Sequence, residues 1–315
     1  MTARVRVPAS SSNLGSGFDC VGIAIDRWLT ASATLERTGN GVSIRRRGTL
    51  NAVRVRGDQD LFTRGFRAAC AAGGVSPGAV AIDAASDIPI GCGLGSSAAA
   101  IVAGALLADA AFELGLSPAQ ILEIGTTIEG HPDNIGPAIY GGAVLSVHTP
   151  TGLVSAPLQV ARGIELLIAV PPFPNDTKAA RAALPQTLPH TDAVIAASRA
   201  AALVQGLASG DGALLGAALD DVLHVPFRRA RIRGYDAVVA AAKRAGAYGA
   251  TLSGAGSAIL AIAPRERATA VGAALLETWR SEGVTAELIR CTHPVAGATV
   301  SHGSQSIHPV ATELS

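Results

Sequence analysis

The sequence predicts an α+β protein in two domains, and three observations carry that expectation. Segments with strand-like alternation and alanine-rich segments with helical character are mixed without the strict rhythm of a parallel α/β sheet. The 315 residues suffice for two cores of ordinary size. The composition also shifts near residue 160, beyond which long alanine-rich stretches take over. The boundary is therefore placed there: residues 1–160 as the first domain, 161–302 as the second, and 303–315 as a loose tail.

RVRVP (4–8) alternates and reads as a strand, followed by a polar, glycine-rich loop, SSSNLGSGFD (10–19). Strand character returns over 21–36 and 41–50. A helix is expected over 60–73 and a short strand over 80–86. The clearest helix is SSAAAIVAGALLADAAFELG (96–115). Its alanine content favours the helix, and its apolar residues fall on several faces, as they do in a buried one. A second helix spans 117–130, from a Ser-Pro start to a Gly stop. A strand follows at 140–148. In the second half, GIELLIAVPP (163–172) has the continuous apolar run of a buried strand. The segment 175–185 is polar, then helical, then stopped by proline. Long helices fill 190–223 and 234–246. A strand, glycine turn and strand span 247–264, a helix 268–283, and a closing strand 284–293.

Composition excludes several functional classes. Hydrophobic residues make up 49% and charged residues 16%, which supplies ample core and argues against disorder. A formal charge of +1 leaves no basic surface for nucleic acid or for an anionic membrane. The four cysteines, Cys20, Cys70, Cys92 and Cys291, are far apart and form no CxxC pair, so neither a zinc site nor a disulfide framework is expected. MTARVRVPAS has no apolar signal-peptide core, and the longest apolar stretch, around 98–112, is interrupted by Asp109 and too short for a bilayer. A cytoplasmic protein without nucleic-acid or membrane partners is the expectation.

The most informative stretch is IPIGCGLGSSAAA (88–100). It is not a Walker A loop, because the chain holds no Gly-Lys pair, and a dinucleotide fingerprint fails at Ser96. What remains is Gly91, Gly93, Gly95, Ser96 and Ser97 opening directly into a long helix. Two readings stand. One is a glycine turn with a serine N-cap. The other is an anion site, where glycines let the backbone approach closely and the first helical turn offers free N–H groups and partial positive charge.

PIGCGLGSSAAA resembles the P-x-x-x-G-L-G-S-S-A signature of the GHMP kinases. PASSSNLGSGFD (8–19) and TLSGAGSAI (251–259) resemble the family's other two motifs, in family order. The resemblance spans roughly residues 4–295. It implies a two-domain fold, with an N-terminal domain like ribosomal protein S5 domain 2 and a ferredoxin-like C-terminal domain, and it implies ATP and Mg2+. ATP is expected along Ile88, Pro89, Gly91, Cys92, Gly93, Leu94, Gly95, Ser96 and Ser97, with Ile88 and Pro89 at the adenine. EGHPDNIGPAIYGG (129–142), NDTKAARAALP (175–185) and HVPFR (224–228) are most similar to the branch that phosphorylates the side-chain hydroxyl of L-homoserine. A homodimer is implied as well.

A zwitterionic amino acid needs an anion for its ammonium and cations for its carboxylate. Asp19, with Asn13 beside it, is the candidate for the first; Arg181 and Arg228 are the candidates for the second, since a guanidinium fork suits a carboxylate. Arg229, Arg231 and Arg233 compete with Arg228 within FRRARIR. The resemblance adds His131, Asn134 and the backbone at Gly254 to the substrate contacts. It makes Ser97 and Glu123 the metal ligands, with Glu129 as the rival acid, and Thr177 a holder of the reacting hydroxyl. No dedicated base is expected: Asp133 is the nearest aspartate, and the N-terminal half has no lysine. Two positions depart from the family pattern, Asp60 where an asparagine is usual and Ser257 where proline is usual. A mevalonate or shikimate kinase, or a nucleotide-binding regulator without catalysis, are the alternatives.

Overall fold

A computed structural model describes residues 2–36, 41–55, 57–302 and 308–311. The chain opens with β1 (Thr2–Asn13) and the long β2 (Gly17–Leu35), paired antiparallel with irregularities at Pro8/Ala9 and Ser12/Asn13. β3 (Val42–Gly48), α1 (Leu61–Ala72) and β4 (Val80–Ser86) follow, with β3 and β4 parallel. Next come α2 (Ser96–Phe112), α3 (Pro118–Glu129), α4 (Ile135–Tyr140) and a hairpin of β5 (Ala143–Thr149) and β6 (Gly152–Leu158). The second half contains β7 (Ile164–Val170), α5 (Thr177–Ala182), α6 (His190–Ser209), α7 (Gly212–Ala218), α8 (Val225–Arg228) and α9 (Tyr235–Arg244). It closes with β8 (Gly249–Leu252), β9 (Ile259–Pro264), α10 (Ala268–Ser281), β10 (Glu287–Cys291), β11 (Thr299–His302) and β12 (His308–Pro309).

Two sheets result. The larger runs β12-β11-β1-β2-β4-β3, with β5 joining β2 and carrying β6 at its edge. The smaller is antiparallel, in the order β10-β7-β9-β8. Apart from the parallel β3–β4 pair the sheets are antiparallel, and strands and helices mix without a βαβ rhythm, so the α+β expectation holds. α2 packs between α1 and the large sheet and is apolar all round, which matches its burial on nearly every face. α9 and α10 cover the small sheet and bury Val238, Val271, Leu275 and Trp279 against it. Every residue of β7 is buried, as its apolar run predicts. Among the described residues, no helix is long and apolar enough to cross a membrane.

Four segments depart from expectation. The loop expected over 10–19 is mostly ladder: pairing continues to Asn13 opposite Gly17, leaving a turn over 14–16. Its serines pair as strand residues while their hydroxyls serve as cross-links, so polarity there marks a site rather than a loop. α4 and β6 carry weak local signals, one a single turn and a half, the other containing Pro157, which an edge strand tolerates. Of the tail expected to be loose, β12 pairs with β11, and β11 in turn covers the edge of β1 over Ala3–Arg6. Residues 303–307 and 312–315 lie outside the described residues.

Candidate active site

α2 begins without a side-chain cap. Its N-cap is Gly95, at φ 65°, and no side chain accepts from the first turn. α3 provides the contrast: Ser117 caps it with a full capping box. Of the two readings of the glycine segment, the serine cap is therefore not the one realised. Ser96 and Ser97 lie inside the helix, and the free amides of its first turn open onto a cavity of about 300 Å³. Gly91, Gly93, Leu94, Gly95, Ser96 and Ser97 line it. The glycines are required. A Cβ on Gly95 would meet Ser10 Oγ at 2.1 Å, and one on Gly93 would meet the Ser253 carbonyl at 2.0 Å, both at positive φ.

The three glycine and serine motifs interlock around that loop. Ser10 donates to Asn134 Oδ1 (2.9 Å), and Asn134 Nδ2 donates to Ser12 Oγ (2.9 Å). Ser253 donates to the Gly93 carbonyl (2.6 Å) and shares a hydrogen bond with Ser11 (2.8 Å). Asn13 Nδ2 donates to the Gly254 carbonyl (3.0 Å), while its Oδ1 accepts from the Asp19 amide (3.0 Å). The first-half motifs and the 251–259 motif of the second half thus form one bonded unit.

The same cavity is lined by Asn13, Asp19, His131, Asp133, Asn134, Thr177, Arg181, Arg228 and Gly254, so the structure brings these predicted residues together. Arg181 pairs with Asp19 through both fork nitrogens, at 2.9 and 2.8 Å. Burial raises the Asp19 carboxyl, but the Arg181 bonds outweigh it and hold it below the usual range. His131 Nδ1 lies 2.5 Å from the buried Asp133. Burial works against charge on His131, yet the Asp133 bond and charge prevail and raise it. Arg228 is buried beneath this cluster, at 2% exposure, which singles it out from Arg229, Arg231 and Arg233.

Several expectations need correction. Glu123 is exposed, faces Gly152, and does not line the cavity. Glu129 does, and it accepts a short hydrogen bond from Ser97. The reason is helical phase: Glu129 lies six residues on, at the last residue of α3, on the side turned towards the head of α2. Burial raises the Glu129 carboxyl, with the Ser97 bond opposing. Ile88 is fully buried, and neither it nor Pro89 nor Cys92 lines the cavity. Its apolar end is built instead from Ile44, Leu50, Val53, Leu61, Phe62 and Ile90. Asp60 caps α1 at Thr63 and pairs with Arg46, and both line that end. Ser257 donates to the Phe173 carbonyl, a bond that proline lacks the group to make.

Sequence reasoning missed Phe18 and His224. Their rings stack at 4.9 Å, and both Arg181 and Arg228 place their guanidinium carbons over Phe18, at 5.7 and 5.2 Å. An aromatic inside the glycine-rich motif of a chain with 3% aromatics was the available signal for Phe18.

Comparison with known proteins agrees with this geometry. Residues 60–142 match the GHMP kinases N terminal domain and residues 202–281 the GHMP kinases C terminal family. A homoserine kinase of Synechococcus sp. is 40% identical over 293 residues, covering 90% of this chain and 93% of that protein. One of Gloeobacter violaceus is 42% identical, covering 87% and 92%. The crystal structure of homoserine kinase from Cytophaga hutchinsonii superposes with a TM-score of 0.85 at 28% identity, over 95% of this chain and 97% of that one. The mevalonate kinase of Methanococcus jannaschii shares the fold alone, at TM-score 0.65 and 15% identity over 91% and 96%. With these likenesses spanning nearly its full length, the chain belongs to the GHMP kinase family, in its homoserine kinase branch, and is an ATP-dependent small-molecule kinase.

Proposed function

We propose that the cavity seats ATP and L-homoserine side by side and transfers the γ-phosphoryl group to the side-chain hydroxyl, giving O-phospho-L-homoserine for threonine biosynthesis. One observation carries the reading: the uncapped head of α2 opens into the same cavity as a carboxylate–guanidinium pair, Asp19 with Arg181. The amides of residues 91–97 suit a triphosphate. The apolar end at Ile44, Leu50 and Phe62 suits the base. A zwitterion gives Asp19 an ammonium and gives Arg181 and Arg228 a carboxylate, while Asn13, His131, Asn134 and the Gly254 backbone frame the carbon chain.

Ser97 and Glu129 are hard oxygen donors in contact at the head of α2, and this pair fits Mg2+. Held by Ser97 and Glu129, such an ion would supply positive charge to neutralise the phosphates. The rest falls to the chain. The backbone loop holds the phosphates, and Thr177, at the start of α5 on the cavity wall, orients the hydroxyl. The hydroxyl oxygen bonds to the γ-phosphorus as the bond to the β,γ-bridging oxygen breaks and ADP departs. The proton passes late, to phosphate oxygen or water. Asp133 is already engaged by His131 and Asn134, which supports a transfer without a dedicated base. The reading extends to a cytoplasmic homodimer; the exposed cross-strand pair Val147 and Val154 offers apolar surface for the second copy.

The test is an ADP-release assay with L-homoserine, mevalonate, shikimate and galactose in parallel, with and without Mg2+. Homoserine should exceed the others in kcat/KM by ~10³-fold or more, because a substrate lacking either charge forgoes the charge-assisted bonds to Asp19 or to Arg181 and Arg228. Equal turnover of mevalonate or shikimate, or no ADP release with any of them, sinks the reading.

A further inference from the structure

Arg228 carries a buried positive charge that, among the described residues, no carboxylate pairs with. Its Nε donates to the Ala180 carbonyl at 3.3 Å, its guanidinium lies over Phe18, and Nη1 is 3.3 Å from His224 Nδ1. A guanidinium so placed needs something to fix its rotation, since neutral contacts hold it more loosely than a bidentate carboxylate does.

His224 supplies this. The side chain is wholly buried and does not line the cavity, so it does not contact the substrate. Its Nε2 lies 3.2 Å from the Gly15 carbonyl. A carbonyl oxygen only accepts, so Nε2 carries the hydrogen, and the neutral ring has a bare Nδ1 to accept from Arg228. Burial pushes the imidazole down to about 4, although the Asp221 carboxylate nearby pulls the other way. The ring plane is set by the stack on Phe18. The backbone is set by Asp221, whose carboxylate accepts from the amides of Leu223 (2.9 Å), His224 (2.7 Å) and Val225 (2.7 Å). Position, plane and tautomer are all determined.

Resting on the reading of this cavity as the site of an amino-acid alcohol, we propose that His224 is a positioning residue for recognition of the substrate carboxylate: its bare Nδ1 anchors one arm of the Arg228 guanidinium and leaves the remaining N–H groups of the fork to the carboxylate. The imidazole thereby sets which ligands bind, selecting for a carboxylate on the carbon that bears the amine.

Three ligands separate this role from general support. L-homoserine has both charges, 4-hydroxybutanoate keeps the carboxylate and lacks the amine, and 3-aminopropan-1-ol keeps the amine and lacks the carboxylate. KM or competitive inhibition constants are measured for each on the full chain and on His224→Leu and His224→Asn. His224→Leu should weaken homoserine and 4-hydroxybutanoate by roughly 10- to 100-fold, the worth of a hydrogen bond to a charged group, with 3-aminopropan-1-ol and KM for ATP within about twofold. His224→Asn, whose amide oxygen replaces the Nδ1 acceptor, should recover most of that loss. Equal weakening of all three ligands overturns the proposal, as does an asparagine variant no better than leucine. Should His224→Leu fail to fold, 15N NMR of the imidazole in the unsubstituted protein decides: a neutral ring with hydrogen on Nε2 at pH 6 supports the proposal, and hydrogen on Nδ1 overturns it. If the unsubstituted chain fails to phosphorylate homoserine, the functional reading falls and takes the proposal with it. If turnover stands but the three ligands respond alike, the proposal alone falls.

Discussion

At the scale of single residues, the proposed phosphoryl transfer makes the acid beside Ser97 the group on which charge neutralisation would depend. Both glutamates of α3 are carboxylates near the correct motif, and only their direction separates them. Glu129 is bonded to Ser97 and lines the cavity; Glu123 points to solvent beside Gly152. Replacing Glu129 by alanine should lower kcat by ~10³-fold or more, the order of loss when a group neutralising phosphoryl charge is removed. Glu123→Ala should stay within about twofold, as exposed substitutions away from a site do. Steady-state kinetics on both variants at saturating Mg2+ checks this. The opposite ranking would return the metal role to Glu123.

At the scale of elements, the site depends on how tightly α2 is held, since the amides proposed to hold the phosphates are its own first turn. α1 crosses it closely: a Cβ on Gly65 would lie 2.2 Å from the Ile101 carbonyl, and one on Gly104 2.1 Å from the Phe62 carbonyl. In an isolated helix Gly→Ala stabilises by about 1 kcal/mol. At this crossing the sign should reverse, because the added carbon meets backbone that has no room to yield, and overpacking costs ~1–3 kcal/mol. Gly65→Ala should therefore lower the thermal midpoint by roughly 2–6 °C. An unchanged or raised midpoint would show that the two helices are free to move apart.

At the scale of the whole molecule, the site sits where the two halves meet, and unfolding releases groups that folding keeps from titrating. His224 is the clearest, with Asp221, Arg228 and Asp19 the charged groups acting on it. Its ordinary value is 6.5 and its folded value about 4, so between these the unfolded chain binds a proton that the folded chain does not. Stability from this group is thus fully present above pH 6.5 and is lost as pH falls towards 4. Denaturant midpoints measured from pH 7 to 4 should fall more steeply for the unsubstituted chain than for His224→Asn. Parallel slopes would mean that the ring is not held neutral.

The sequence alone determined the α+β class, the long buried helix, and the glycine loop and most of the side chains that gather in one cavity, because those depend on local pattern: alanine-rich apolar windows, glycines before a helix, and motifs contiguous in the chain. Charge complementarity together with the motif resemblance brought Asn13, Asp19, His131, Asn134, Arg181 and Gly254 forward as candidates, and all of them line the cavity. Tertiary structure decided what depends on direction and distance. It set Glu129 rather than Glu123 against Ser97, built the apolar end from Leu50 and Phe62 rather than from Ile88 and Pro89, and added β11 and β12 to a sheet begun at the other end of the chain. It also set His224 beneath Arg228, against a phenylalanine more than 200 positions away. Which way a side chain faces across a helix, and which distant strand closes an edge, are fixed only when the core packs, and no local window records that.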